Sequence, residues 1–227
     1  MEACYPPQYQ AVFPRIPSNP TLEIIDIQKV ADLAHEAGAR LVVDNVFASP
    51  ILQKPLDLGA DVVCYSATKH IDGQGRTLGG IILSSAAIIV DELGPFLRHT
   101  GPSLSPFNAW LLLKSLETLE LRVNAMCDRA DHLAAAMSQA GIDCLHPSLP
   151  GFKQADLAQR QMKRGGTVVT FTLPGGAQQA FRFLNALSII DISNNLAIAA
   201  ALPPIPGPRP IRRWMNRPGW KWGSPRA

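Results

Sequence analysis

The chain has 227 residues, enough for one large domain or for a medium and a small one. It is 47% hydrophobic and 17% charged, so it can bury a core, and it has no apolar run long enough for a transmembrane helix. Its net charge of +3 comes from the last 25 residues, where six Lys/Arg and no Asp/Glu fall in 203–227; removing those six leaves −3 for 1–202. A nucleic-acid-binding fold is therefore not indicated.

Residues 1–16 are Pro-containing and aperiodic, with neither a basic start nor an apolar stretch, so no secretory leader is predicted. The four cysteines (Cys4, Cys64, Cys127, Cys144) form no CxxC pair. They read as reduced thiols of a cytoplasmic protein rather than zinc ligands.

Thr21 reads as a helix N-cap, with Glu23 and Asp26 in the first turns. Ile25, Val30, Leu33, Ala34 and Ala37 recur at helical spacing up to a stop at Gly38. Leu41-Val42-Val43-Asp44 is a buried strand, followed by a turn or short helix over Ile51–Leu58. Asp61–Tyr65 and Gly80–Leu83 are further strands. Strands alternating with helical segments predict βαβ units, hence an α/β fold with a parallel or mixed sheet.

Ser105-Pro106 opens a helical region running to about Gln139, with a break near Glu117–Glu120 and a stop at Gly141. Thr167–Thr172 is a strand, Gln178–Leu187 a helix, and Ile189–Ile192 one more strand. These assign 17–140 to a large domain and 141–196 to the start of a small one. Residues 197–227 break the pattern: 203–227 hold seven Pro and three Trp, and the tail is predicted to be disordered. Its arginines and tryptophans admit an anionic partner, but an accidental solvated tail explains them as well.

One stretch carries chemistry. Ser66-Ala67-Thr68-Lys69-His70 follows a strand and precedes a Gly-rich run. The Ser66 and Thr68 hydroxyls can donate to a phosphate, and a lysine at a strand end can form a Schiff base if its pKa is lowered. Asp44 ends the preceding strand, and a buried carboxylate needs a cationic partner. Taken alone, Lys69 also reads as a surface lysine, Asp44 as a strand-end cap, Ser66 and Thr68 as turn residues, and His70 as a structural hydrogen-bonder. The physics by itself leaves a possible phosphate site.

Pro17-Ser18-Asn19-Pro20-Thr21, Val43-Asp44-Asn45 and Tyr65-Ser66-Ala67-Thr68-Lys69-His70 resemble the signature segments of the Cys/Met metabolism family of pyridoxal-phosphate (PLP) enzymes. The strings Ser66–Gly80 and Arg98–Lys114 are most similar to its O-succinylhomoserine sulfhydrylase branch. The resemblance runs from about Pro17 to Leu196. It implies part of an aspartate-aminotransferase-like, fold type I large domain, followed by the start of a small α/β domain.

The resemblance further implies that Lys69 holds PLP covalently and moves substrate protons. Asp44 pairs with the ring nitrogen, Ser66 and Thr68 bind the phosphate, and Asn19 approaches the ring hydroxyl. The implied reaction is γ-replacement, O-succinylhomoserine and sulfide giving homocysteine and succinate; cystathionine γ-synthase or γ-lyase specificity is the neighbouring alternative. Small-molecule substrates are implied, with no nucleic acid and no membrane. Members form homotetramers, and much of that interface is not expected here.

The chain also departs from the pattern. The family's phosphate loop and ring-stacking aromatic precede the first motif, and its carboxylate-binding arginine follows Leu196 in a different sequence. Both ends read as out of frame, which allows an inactive remnant. Arg15, four residues before Asn19, stands where the family usually has Glu and reverses a charge near the cofactor.

Overall fold

The computed structural model describes residues 10–188. The expected strand at Ile189–Ile192, the tail 197–227 and the first nine residues lie outside them. The chain divides into two compact units after Thr172. The boundary expected between residues 140 and 141 does not coincide with that division.

The first described element is β1 (Ala11–Val12), inside the segment expected to be irregular. It pairs in parallel with β2 (Arg40–Asp44) at Ala11↔Arg40 and Val12↔Leu41. The same register returns at Arg15↔Asp44. Pro14 offers no N–H, but its carbonyl accepts from the Asp44 N–H at 2.9 Å.

Between β1 and β2 lies α1 (Ile27–Glu36), five residues later than its expected start. Its cap is Asp26, whose carboxylate accepts from the Lys29 N–H, rather than Thr21. The displacement has a physical cause. Two glutamines from α7 (Ala155–Gln161) and its cap serve the backbone of residues 24–27 in place of helical bonds. Gln154 accepts from the Ile24 N–H at 2.9 Å and donates to the Ile24 carbonyl at 2.7 Å. Gln161 accepts from the Ile27 N–H at 3.0 Å and donates to the Ile25 carbonyl at 2.9 Å.

After β2 come α2 (Ser49–Leu52), a 3₁₀ turn (Pro55–Leu58) and β3 (Val62–Ser66). β3 pairs in parallel with β2 at Val43↔Val63 and Asp44↔Cys64, and antiparallel with β4 (Gly80–Ser84), from Val62↔Ser84 to Ser66↔Gly80. The sheet order is β1-β2-β3-β4, a mixed sheet as the alternation predicted. Leu41, Val43 and Val63 are buried against Ile27, Ala31 and Ala34 of α1 in a single apolar cluster. That burial explains the unbroken apolar run of β2.

Beyond β4 are α3 (Ala86–Ile88), a π-helical turn (Ile89–Leu93) and α4 (Gly94–Thr100). Next comes α5 (Pro106–Leu116), capped by the Ser105 hydroxyl at the Asn108 N–H as expected, and then α6 (Leu119–Gln139). β5 (Cys144–Leu145) pairs antiparallel with β6 (Thr170–Phe171). The six-residue strand expected at 167–172 shortens to the two residues that face the two of β5, and the Thr167 hydroxyl outside it bonds the buried His70. Residues 141–172 belong to the first unit, since Ala158 and Met162 enter the same apolar cluster.

The second unit's described part carries α8 (Gly176–Ala186), close to its expected span. No helix among the described residues is long and apolar enough to cross a membrane.

A buried amide relay ties the pieces of the first unit together. Gln53 donates to Asn45 Oδ1 at 2.7 Å and accepts from Gln161 at 3.0 Å. Asn45 donates to the carbonyls of Ser49 and Gln53 at 3.1 and 2.9 Å. Gln53→Leu removes the three side-chain bonds of residue 53, to Asn45, Gln161 and the Ile16 carbonyl, and leaves buried polar atoms of its neighbours short of partners. The expected loss is about 2–3 kcal/mol of unfolding free energy, read from the urea midpoint. An unchanged midpoint would show that the relay contributes nothing net.

Candidate active site

The carboxyl ends of adjacent parallel strands are where open α/β sheets bind ligands. β2 ends at Asp44 and β3 at Ser66, and Asp44 is in register with Cys64, two residues before Ser66. The chain leaves β3 through a π-helical turn, Ala67–Ile71, that contains Lys69. Asp44, Ser66, Thr68 and Lys69 thus share one edge of the sheet. Asn19 is exposed on the segment leading away from Arg15 and Ile16, which run alongside the end of β2.

The turn at Lys69 is irregular, with φ −86° and ψ −121° inside an otherwise helical run. Its carbonyls are satisfied partly within the turn and partly by a side chain from elsewhere. Asp72 N–H donates to the Ala67 carbonyl at 2.8 Å and Gly73 N–H to the Lys69 carbonyl at 2.7 Å. Arg122, on α6, donates through Nη1 to the His70 carbonyl at 2.7 Å. Its Nη2 reaches the carbonyls of Ile71 and Ser115 at 3.0 and 2.9 Å.

Gly73 makes this approach possible. Its φ is +67°, and a Cβ there would overlap Arg122 Nη1. Asp72, with no exposed side-chain surface, accepts from the Arg76 N–H, Nε and Nη2 at 2.7, 3.1 and 3.0 Å. Burial pulls the Arg122 pKa down, and the nearby Asp72 charge opposes this.

The Thr68 hydroxyl oxygen accepts from the Gly79 N–H at 3.1 Å, which leaves its own proton for an anion. Ser66 and Thr68 are half-buried. His70 is buried as a brace rather than placed as a catalyst. The Val46 carbonyl can only accept, so Nδ1, 3.1 Å away, donates to it. Nε2 then accepts from the Thr167 hydroxyl at 2.8 Å. Burial pushes the His70 pKa down to about 4.

Asp44 is the departure. Its side chain is 10% exposed, and Oδ2 accepts from Arg15 Nε at 2.7 Å while Oδ1 accepts from the Val46 N–H at 3.1 Å. The rule that a buried carboxylate takes a cation holds, and here the chain itself supplies that cation. The only sequence signal for it was the reversed charge at Arg15. Asp72–Arg76 was readable as an i,i+4 pair, whereas nothing local marks Arg122 as the clamp on the Lys69 turn.

The donor set fits pyridoxal phosphate. An amine, two hydroxyls and a carboxylate are carried at the ends of β2 and β3, donors of the chemical kinds that a phosphorylated pyridine aldehyde takes. The misfit is confined to Arg15, which already pairs with the carboxylate. Two grooves of about 490 Å³ each, one along Glu23 and Phe152 and the other along Ala158 and Arg164, are lined by none of the five residues. Among the described residues, no cluster of three His, Cys, Asp or Glu side chains could share a metal ion. The described cysteines are free thiols.

Comparison with known proteins gives a consistent set. The model of the Cys/Met metabolism PLP-dependent enzymes matches residues 1–210, past both ends of the Pro17–Leu196 resemblance. An O-succinylhomoserine sulfhydrylase of Mycobacterium tuberculosis is 52% identical over 85% of this chain and 49% of its own length. One of Pseudomonas aeruginosa is 47% identical over 86% of this chain and 49% of its own length. Among solved structures, a cystathionine gamma-lyase of Lactobacillus plantarum complexed with L-serine superposes with TM-score 0.81 at 31% identity. It covers 87% of this chain and 52% of that one. The chain spans about half the length of the curated relatives it matches.

The buried histidines set a pH dependence. The folded state holds His70 neutral down to about pH 4, while an unfolded histidine protonates near 6.5. The unfolded chain therefore binds more protons as pH falls, and stability drops between those values by up to about 3 kcal/mol. His146, also pushed down by burial, acts in the same direction. Urea midpoints at about pH 7 and about pH 5 should differ less for His70→Gln than for the parent. An equal difference would remove His70 from the account.

Proposed function

We propose that this chain, which belongs to the Cys/Met metabolism PLP-dependent enzyme family, carries the cofactor-holding part of an O-succinylhomoserine sulfhydrylase. The whole protein, on this reading, replaces the succinyloxy group on Cγ of O-succinylhomoserine by sulfide, releasing succinate. The fold is part of the α/β large domain of fold type I PLP enzymes, as the superposition at 31% identity and TM-score 0.81 indicates. The observation that carries the site is the meeting of Asp44, Ser66, Thr68 and Lys69 at the ends of β2 and β3. The substrate class is supported by two sulfhydrylases at 52% and 47% identity, above the 31% to the γ-lyase structure.

Pyridoxal phosphate, when bound, supplies the electron sink that lets a γ substituent leave. The chain's residues do the rest. The Ser66 and Thr68 hydroxyls would donate to the phosphate, and the Asp44 carboxylate would be the partner of the ring nitrogen. Lys69 Nζ holds the cofactor, then takes and returns protons at the substrate's Cα and Cβ. The Cγ–O bond breaks with its electron pair going to succinate, and sulfide sulfur forms the Cγ–S bond of homocysteine. Arg122 and His70 keep the Lys69 turn in place without touching substrate.

A second reading, a cofactor-binding part with no catalysis of its own, is favoured by the hold of Arg15 on Asp44. The test begins with the purified chain and PLP. A protein-bound visible absorbance band is expected, absent in Lys69→Ala. With O-succinylhomoserine and sulfide, homocysteine should form, and Lys69→Ala should lower the rate by about 10²–10⁴-fold. A band without homocysteine would select the second reading; equal spectra for parent and variant would reject the site.

A further inference from the structure

We propose that Arg15 competes with the cofactor's ring nitrogen for the Asp44 carboxylate, so that Asp44 contributes little to PLP binding while Arg15 stays paired. This rests on the assignment of Asp44 and Lys69 to the cofactor site made above.

Three observations carry it. Both carboxylate oxygens are engaged, Oδ2 by Arg15 Nε at 2.7 Å and Oδ1 by the Val46 N–H at 3.1 Å, so a ring nitrogen must share or displace one of them. The pairing is also set by backbone. Asp44 N–H donates to the Pro14 carbonyl at 2.9 Å and Ile16 N–H to the Asp44 carbonyl at 3.1 Å, which fixes the Arg15 backbone beside Asp44 in parallel register. Finally, the Arg15 side chain is 49% exposed while that of Asp44 is 10% exposed. The cation can leave for water, and the carboxylate cannot follow.

A guanidinium stays charged at every working pH. Beside the same carboxylate it opposes a second cation, so it disfavours the protonated form of the ring nitrogen. In charge terms, Arg15 takes the place that the pyridinium would fill. Without it, Asp44 would keep the Val46 N–H but lack a cation, the deficit that a protonated ring would fill.

The test compares two ligands on the full chain by equilibrium dialysis: PLP, and its analogue with the ring nitrogen replaced by C–H. Arg15 attracts the phosphate of both equally, so the ratio of their dissociation constants isolates the ring nitrogen. In the parent the ratio (analogue over PLP) should lie near one. In Arg15→Ala it should rise about fivefold, the size of a partly exposed charge pair. Arg15→Gln, which keeps a hydrogen-bonding group without the charge, should move it in the same direction.

An unchanged ratio in both variants overturns the competition, provided that binding is still lost in Lys69→Ala. Binding of both ligands that is indifferent to Lys69→Ala overturns the site assignment and the competition with it.

Discussion

Three backbone carbonyls, at His70, Ile71 and Ser115, converge on the guanidinium of Arg122. That of Ser115 comes from the end of α5; those of His70 and Ile71 are left by a turn at the exit of β3 too irregular to satisfy them. A regular α-helix starting at Ala67 would bond those carbonyls internally and would carry Lys69 on a different heading. The π-helical turn gives up that economy, and buried carbonyls without donors are costly. A five-donor side chain from α6 answers both needs, and Gly73 leaves room for it. The position of Lys69 therefore depends on a residue 53 positions away in sequence, and on the absence of a side chain at residue 73.

The same logic recurs around Asp44. The segment from Arg15 to Asp26 turns at residues 19–21 and is irregular beyond, and side-chain amides act as the hydrogen-bonding partner of its last residues. Gln154 and Gln161 reach it from α7 and its cap, and Gln161 hands on to Gln53 and Asn45 just beyond β2. Asn45 has no exposed surface and Gln53 has 1%. Amides so deeply placed are tolerable only when each is bonded. The apolar cluster of Ile16, Leu41, Val43 and Leu52 surrounds them and sets the low dielectric in which those bonds act. Packing of α7 and placement of the Asp44 edge are thus parts of one network.

This explains how far the sequence could be read. The strands at 41–44, 61–65 and 80–83, the Ser105 cap and the break before α6 follow from periodicity and local hydroxyl chemistry, which depend on neighbours within a few residues. The motif around Lys69 was visible as residue types in order. What escaped were the effects of distant partners. Thr21 fails as a cap because glutamines 130 or more residues away bond the backbone of residues 24–27. The strand at 167–172 is cut to two residues by the length of its distant partner β5. The need of Asp44 for a cation follows from its residue type and burial, whereas the contact that brings Arg15 to it depends on the pairing of residues 11–15 with β2. A local reading finds the need for a partner; only the fold decides which partner arrives.

Two carboxylates near the same sheet edge show how one chain can separate structure from function. Asp72 is fully buried and takes three bonds from Arg76, with the Arg122 charge nearby. Losing that cation would leave a buried unpaired charge, a strongly destabilising event. Asp44 has one charged partner, and that partner is half in water. A pair of this kind is worth at most about 1 kcal/mol, because water screens it and the long side chain loses entropy on pairing. The first arrangement cannot be exchanged without unfolding the turn. The second can change its cation at little cost, and that is the property a carboxylate needs if its partner is to be a ligand rather than the protein.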